Sequence, residues 1–361
     1  MEPNKKGSLK FPYFCSMERE KLLVIRFSAM GDVAMASAVV KAALESGQKP
    51  EIDLLSKPFF EPLFEKKSGF SFIKPELKVK HRGIVGLYRL YRRLKNNNYS
   101  AVIDLHGSLR SRLLGLFFRM GGTPVYTIDK GRSEKRKLIR EGAHKTGALQ
   151  HSLDRYADVF QRAGVEANTE KLPLPSLGTA TSRVDALLEQ KGDQKWIGIA
   201  PFAAHPSKEW DFEKMKALAE ELRNIGCQIL WFGAGQREIG ILKEKLMREE
   251  SDVLIAGHFK LPEELALMRH LDAMVCMDSA NMHMAAISGI PVVSIWGPTH
   301  PFAGFAPVHN EAGIVQADLP CRPCTIYGKI RSKSGEECAR RSMEMVTVEM
   351  VLERVRGFIN S

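Results

Sequence analysis

The sequence predicts an α/β protein built as two doubly wound parallel domains. Three observations carry this expectation. Short apolar runs rich in β-branched residues alternate with helical stretches along residues 21–163, the pattern of successive βαβ units. The alternation restarts at Lys195, after Pro173, Pro175, Gly178 and a Thr- and Ser-rich stretch that reads as a linker. The 361 residues exceed one typical domain and give two domains enough chain to bury a core each. The expected layout is an N-terminal extension (1–20), a first domain (21–175), a linker (176–194), a second domain (195–345) and a C-terminal helix (346–361) crossing back to the first.

Lys21-Leu-Leu-Val-Ile-Arg26 suits a buried parallel strand, and it enters the turn Phe27-Ser-Ala-Met-Gly31-Asp32 and a helix over 33–44 rich in small residues. Strands follow at 51–55, 70–73 and 100–105, with helices at 59–65, 86–95 and 111–119. Residues 129–145 are charge-dense, with six Lys and Arg between Lys130 and Arg140, and are expected as an exposed loop or short helix. An amphipathic helix over 151–163 closes the first domain. In the second, strands are expected at 195–200, 228–232, 253–256, 273–276 and 291–295, and helices at 211–224, 237–249, 262–269, 281–288 and 347–359. Ligands of such sheets gather beyond the carboxyl ends of the strands, in the cleft between the domains.

The net charge of +11 is unevenly placed: residues 1–175 carry 32 Lys and Arg against 18 Asp and Glu, the remainder 21 against 24. A field confined to one half implies an anionic partner there, unless the half is merely a solvated basic surface. No apolar run approaches the roughly 18 residues that span a bilayer, and the N-terminus has no apolar stretch suited to a signal peptide. The expectation is a cytoplasmic chain. Its six cysteines (Cys15, Cys227, Cys276, Cys321, Cys324, Cys338) are then expected as free thiols. Cys321 and Cys324 have CxxC spacing, but a structural zinc site wants four ligands and only Cys338 follows nearby. A loop staple or plain thiols remain, and no metal is expected.

Three junctions carry polar residues that packing does not call for. Gly31-Asp32 follows the first strand, and Asp32 is either an N-capping carboxylate or a general base aimed at a hydroxyl. Pro201 to Trp210 holds Lys208, a surface lysine or a mobile charge for phosphate oxygens. Asp278-Ser279-Ala280-Asn281-Met282-His283 joins a strand to a helix whose first-turn N–H groups and dipole make an anion site. His283 is either a satisfied core histidine or a phosphate ligand. Thr299, in Gly297-Pro298-Thr299, supplies a neighbouring turn. With no GxGxxG after the first strand and no Walker A motif, nicotinamide and ATP hydrolysis are poorly supported.

Taken in order over about residues 21–355, these segments resemble the heptosyltransferase family of GT-B glycosyltransferases, which build the lipopolysaccharide core from ADP-heptose. The matching pieces are Leu23 to Val33, Val102 to Ser111, His151 to Tyr156, Ile199 to Trp210, Asp278 to Ala286, and Gly297-Pro298-Thr299. The resemblance implies two Rossmann-like domains facing a cleft and inverting, metal-independent transfer with no cofactor beyond the nucleotide-sugar substrate. It makes Asp32 the base. It sets Lys208, Asp278, Ser279, Ala280, His283 and Thr299 about the donor diphosphate, and Glu238 on the ribose. Arg110 and the basic stretch with Arg132, Lys135 and Arg136 would hold phosphate or carboxylate groups of a glycolipid acceptor, with peripheral contact at the inner face of the cytoplasmic membrane. The chain departs from the family where Phe202 replaces a glycine and Ala280-Asn281 replaces Gly-Pro, so donor sugar or nucleotide can differ. Two other classes stay open: a nucleic-acid-binding protein using the basic half, and a GT-B relative without transfer, such as a sugar-nucleotide epimerase. No aromatic platform interleaves with the basic residues, which weighs against nucleic acid.

Overall fold

The computed structural model describes residues 20–170, 172 and 174–360; residues 1–19 of the expected extension, with Cys15, and Pro173 of the linker lie outside the described residues. The first sheet is made of β1 (Lys21–Ile25), β2 (Glu51–Leu55), β3 (Phe70–Ile73), β4 (Ala101–Asp104) and β5 (Val125–Thr127). Its helices are α1 (Met30–Leu44), α2 (Gly83–Leu94), α3 (Leu109–Met120), α4 (Arg132–Glu141), α5 (Ala143–Thr146) and α6 (Ser152–Arg162). After α7 (Ser182–Leu188) the second sheet comprises β6 (Trp196–Ala200), β7 (Gln228–Trp231), β8 (Val253–Leu254), β9 (Ala273–Met277), β10 (Val292–Trp296) and β11 (Ile314–Gln316). Around it lie α8 (Phe212–Asn224), α9 (Gly235–Ile241), α10 (Leu261–Met268), α11 (Ala280–Ile287), α12 (Lys333–Glu344) and α13 (Val348–Ile359).

Both sheets are parallel throughout, ordered β3-β2-β1-β4-β5 and β11-β10-β9-β6-β7-β8. Strand order reverses beside β1 in the first and beside β6 in the second. A crevice opens at each reversal, because neighbouring connections leave in opposite directions. Alternation along β1 divides its core. Leu22 and Val24 pack on the side of α1 and α6, Leu23 and Ile25 beneath α2 and α3. The first side faces the second domain, where α1 packs on α11. The segment over 143–152 adds hydrogen bonds between domains: Ala143 N–H to the Arg322 carbonyl (3.1 Å), Leu149 N–H to Phe302 (2.9 Å) and Ser152 N–H to Gly304 (2.9 Å).

Several expectations change. The C-terminal helix does not cross back: α13 packs on α8, β9, β10 and β11, with Val351 and Val355 in the core of the second sheet. The charge-dense stretch is two helices, α4 and α5, and Lys135 and Leu138 turn one face of α4 inward. The linker contains α7, held to the second domain by the Thr181 hydroxyl donating to Glu263 (2.9 Å). The helix expected over 237–249 is shorter, α9 passing into a π-turn at Leu242–Leu246.

Candidate active site

The carboxyl edges of the two sheets face one another across a cleft of about 1000 Å³, lined by Asp32 from one domain and Lys208, Glu238, Asp278, Ser279 and His283 from the other. Both crevices of the strand order open into it. Ile25, paired with Asp104 at the first reversal, leads through Arg26 to Asp32, and Ala200, paired with Cys276 at the second, leads towards Lys208.

Asp32 is the third residue of α1, and its Oδ2 accepts the Ala29 N–H at 3.3 Å. Asp32 is therefore not the N-cap, which is Ala29; its carboxylate reaches back to the N-cap N–H, and that bond does not exhaust the side chain. The Arg26 guanidinium lies 2.7 Å from Oδ2, and the Tyr156 hydroxyl donates to Oδ1 at 3.1 Å. About 32% of the side chain stays open to the cleft. Burial works against ionisation, but Arg26, the Ala29 N–H, nearby His283 and Tyr156 outweigh it, and the carboxyl titrates below its ordinary range.

Across the cleft, Lys208 is buried and its Nζ donates to the Asp278 carboxylate (3.1 Å) and backbone carbonyl. Asp278 is thus the lysine's tether, and Lys208 has a third N–H left to donate. Ser279 caps α11 with extended backbone but makes no capping bond, and its Oγ is buried without a partner. The first-turn N–H groups of α11 have no acceptor within the helix. An unsatisfied hydroxyl beside a row of free donors is an arrangement complementary to an anion. His283 sits one turn on, 7% exposed at the cleft wall, and burial above all brings its imidazole down to about 4, so it is neutral at pH 7. Its ring lies against Gly31, where a Cβ would fall 2.6 Å from His283 Cδ2. Glu238, on α9, accepts the Ala234 N–H at 2.7 Å and faces the same cleft, its carboxyl raised by burial.

The sequence model of glycosyltransferase family 9 (heptosyltransferase) matches residues 87–334, more than half of the chain. The chain belongs to this family. Lipopolysaccharide heptosyltransferase 2 of Escherichia coli is 24% identical over 354 residues, covering 94% of this chain and 98% of that one. The solved family 9 glycosyltransferase of Veillonella parvula shares the fold with a TM-score of 0.72 at 16% identity, covering 96% of this chain and 98% of the other. The structure of the E. coli ADP-heptose lps heptosyltransferase II matches with a TM-score of 0.67 at 21% identity, over 94% and 98%. The fold is that of the GT-B heptosyltransferases.

In this family 9 glycosyltransferase the remaining expected residues are scattered. Thr299 is buried away from the cleft, and its carbonyl accepts from Arg322 at 2.8 Å, one of several carbonyls gathered by that guanidinium. Ala280 lines the cleft at the mouth of α11. Arg132 and Arg136 stand exposed on α4, and Arg110 is exposed on α3. Lys135 is different: it is 7% exposed, with Nζ 4.2 Å from the centre of the Phe305 ring and no carboxylate in salt-bridge contact among the described residues. Burial and then Arg155 bring its amine down to about 8.

Four residues near the cleft carried no role in the sequence reading. Arg26 ends a strand, and a charge closing an apolar run was the available signal. Tyr156 ends the His151 to Tyr156 segment that carries part of the resemblance, but no role was attached to it. His106, its Nδ1 accepting the Phe27 N–H at 3.1 Å, is brought down to about 4, first by burial and then by Arg26. Glu264, on α10, lines the cleft and is raised to about 7 by burial and by Glu263.

The free-thiol expectation fails at two positions. Cys321 and Cys338 form a disulfide with Cα atoms 6.4 Å apart, because α12 returns beside the loop that holds Cys321. The Cys324 sulfur lies in the same cluster, all three within 4.8 Å. With the Cys321 and Cys338 sulfurs bonded to each other, Cys324 is the one free thiol of this cluster among the described residues. Cys227 and Cys276 are free and buried.

Proposed function

We propose that the chain transfers a heptose from ADP-heptose, with inversion, to a hydroxyl of an anionic lipopolysaccharide-core or related glycolipid. Asp32 takes the proton of the attacking hydroxyl, and its Arg26 and Tyr156 contacts hold it ionised and aimed. Lys208, the first-turn amides of α11, the Ser279 hydroxyl and a neutral His283 N–H receive the charge that develops on the departing ADP. Asp278 holds Lys208 in place, and Glu238 takes the ribose hydroxyls. This division of charge assigns no step to a metal. Lys135, Arg132, Arg136 and Arg110 are the candidates for acceptor phosphate or carboxylate groups.

The observation that best supports this reading is the meeting of a carboxylate from one strand-order crevice with an anion-receptive helix mouth from the other. Similarity to the E. coli ADP-heptose lps heptosyltransferase II supports ADP-heptose as donor. Work at the inner face of the cytoplasmic membrane follows from the glycolipid acceptor; no helix among the described residues is long and apolar enough to cross a membrane.

The test is ADP release from ADP-heptose with and without a phosphorylated core-lipid acceptor. The expected outcome is acceptor-dependent release. A donor consumed or isomerised equally without acceptor contradicts transfer and favours an epimerase.

A further inference from the structure

Arg110 apart, the mechanism leaves unused the outward face of the first domain, formed by α2, α3 and the turn before α2. Val79, Ile84 and Val85 are 75%, 66% and 73% exposed, and Leu109, Leu116 and Met120 are 88%, 46% and 78% exposed. The two helices are held side by side by ring contacts, Tyr88 with Phe117 (5.4 Å) and Tyr91 with Phe118 (5.1 Å). Their apolar residues therefore belong to one rigid surface. Protruding apolar side chains gathered on two adjoining helices point to an interaction face.

The same surface is cationic. Between Lys78 and Met120 there are ten Lys and Arg, all exposed, and one carboxylate, Asp104, which is wholly buried. Among the described residues, only Lys80 of these ten has a carboxylate partner, Glu76 at 2.9 Å. On α2 the first turn supplies apolar residues, and Arg89, Arg92 and Arg93 follow on later turns. Unpaired cations interleaved with protruding aliphatic side chains are complementary to an anionic bilayer, where headgroup phosphates meet the cations and the aliphatic groups enter the acyl boundary.

Its position bears on the reaction. α2 and α3 begin after β3 and β4, at the carboxyl edge of the sheet, the edge from which β1 leads to Asp32. Ile84, Val85 and Leu109 stand at that edge, and exposed Phe59, after β2, lines the cleft itself. We infer that the α2–α3 face docks on a bilayer rich in anionic phospholipid, so that a lipid-anchored acceptor enters the cleft from the membrane beside Asp32. The acceptor clause rests on the function proposed above; docking itself does not.

The experiment is co-sedimentation of the protein with vesicles of phosphatidylcholine alone and with added phosphatidylglycerol, across a salt series. Wild type is expected to bind the anionic vesicles and to be released by salt. Arg89→Glu, Arg92→Glu and Arg93→Glu combined are expected to weaken binding on the order of a hundredfold. Ile84→Ser, Val85→Ser and Leu116→Ser combined are expected to leave low-salt binding but to make it release at lower salt. All these positions are exposed, so the thermal midpoint and turnover of a delipidated, soluble acceptor should match wild type. Failure of wild type to bind anionic vesicles at low salt, or charge-reversed protein binding as wild type does, overturns the docking face. Preference for a duplex oligonucleotide over the vesicles, unaffected by the serine substitutions, overturns the lipid assignment. Because sedimentation needs no donor, failure here leaves heptose transfer standing, and failed transfer leaves docking standing.

Discussion

Arg26 sets the ionisation of Asp32, the residue proposed as the base. A carboxylate at a helix N-terminus already favours its charged form, and a guanidinium at 2.7 Å deepens that preference. With the folded carboxyl lowered, Asp32 stays ionised down to acid pH, and any activity needing its charged form should fall only below the ordinary carboxylate range. Replacing Arg26 with Gln removes the lowering interaction while burial, which raises the value, remains. The acid limb of the pH–rate profile is therefore predicted to move to higher pH, with a fall in maximal rate. An unmoved limb would show that Arg26 does not set the ionisation of Asp32. Asp32, Lys208 and His283 were legible because each stands in a short strand-to-helix junction. Tyr156 was not, since its bond to Asp32 joins positions 124 residues apart. Thr299 reads from sequence like the other junction residues, yet its turn is folded inward around Arg322.

The joint between α1 and α11 is where one element constrains another most tightly. Gly31 is needed there for space, because the His283 ring occupies the room a Cβ would take. Gly31→Ala must push the two helices apart or rotate the imidazole, and overpacking of this kind costs about 1–3 kcal/mol. The expected outcome is a lowered thermal midpoint with a loss of turnover larger than the stability loss explains, because both Asp32 and His283 move. Wild-type turnover in Gly31→Ala would mean that the close approach is incidental. At this scale the sequence told most where strands are central: β1, β6, β9 and β10 are largely apolar runs buried on both faces. It told least at the edges. β5 and β11 have three residues each, too few to show a period, and the polar α12 takes its place from the Cys321–Cys338 bridge and from packing beside Lys208.

Over the whole molecule, the two-domain layout was visible as a restarted βαβ pattern, and the proposed division of labour rests on the charge imbalance. How the halves meet was not. The C-terminal helix stays on its own domain, and the coupling runs instead through α1 on α11 and through the segment over 143–152, whose hydrogen bonds are to backbone groups that no side-chain pattern reveals. In the proposed reaction the two halves act together, the base coming from one domain and the leaving-group site from the other. The most direct test is Asp32→Asn, which keeps the size of the side chain and removes its basicity. ADP-heptose binding, read by thermal shift, should persist, while acceptor-dependent ADP release should drop by about 10²–10⁴-fold, the range of a lost general base. Release at the wild-type rate with donor binding intact would contradict the claim.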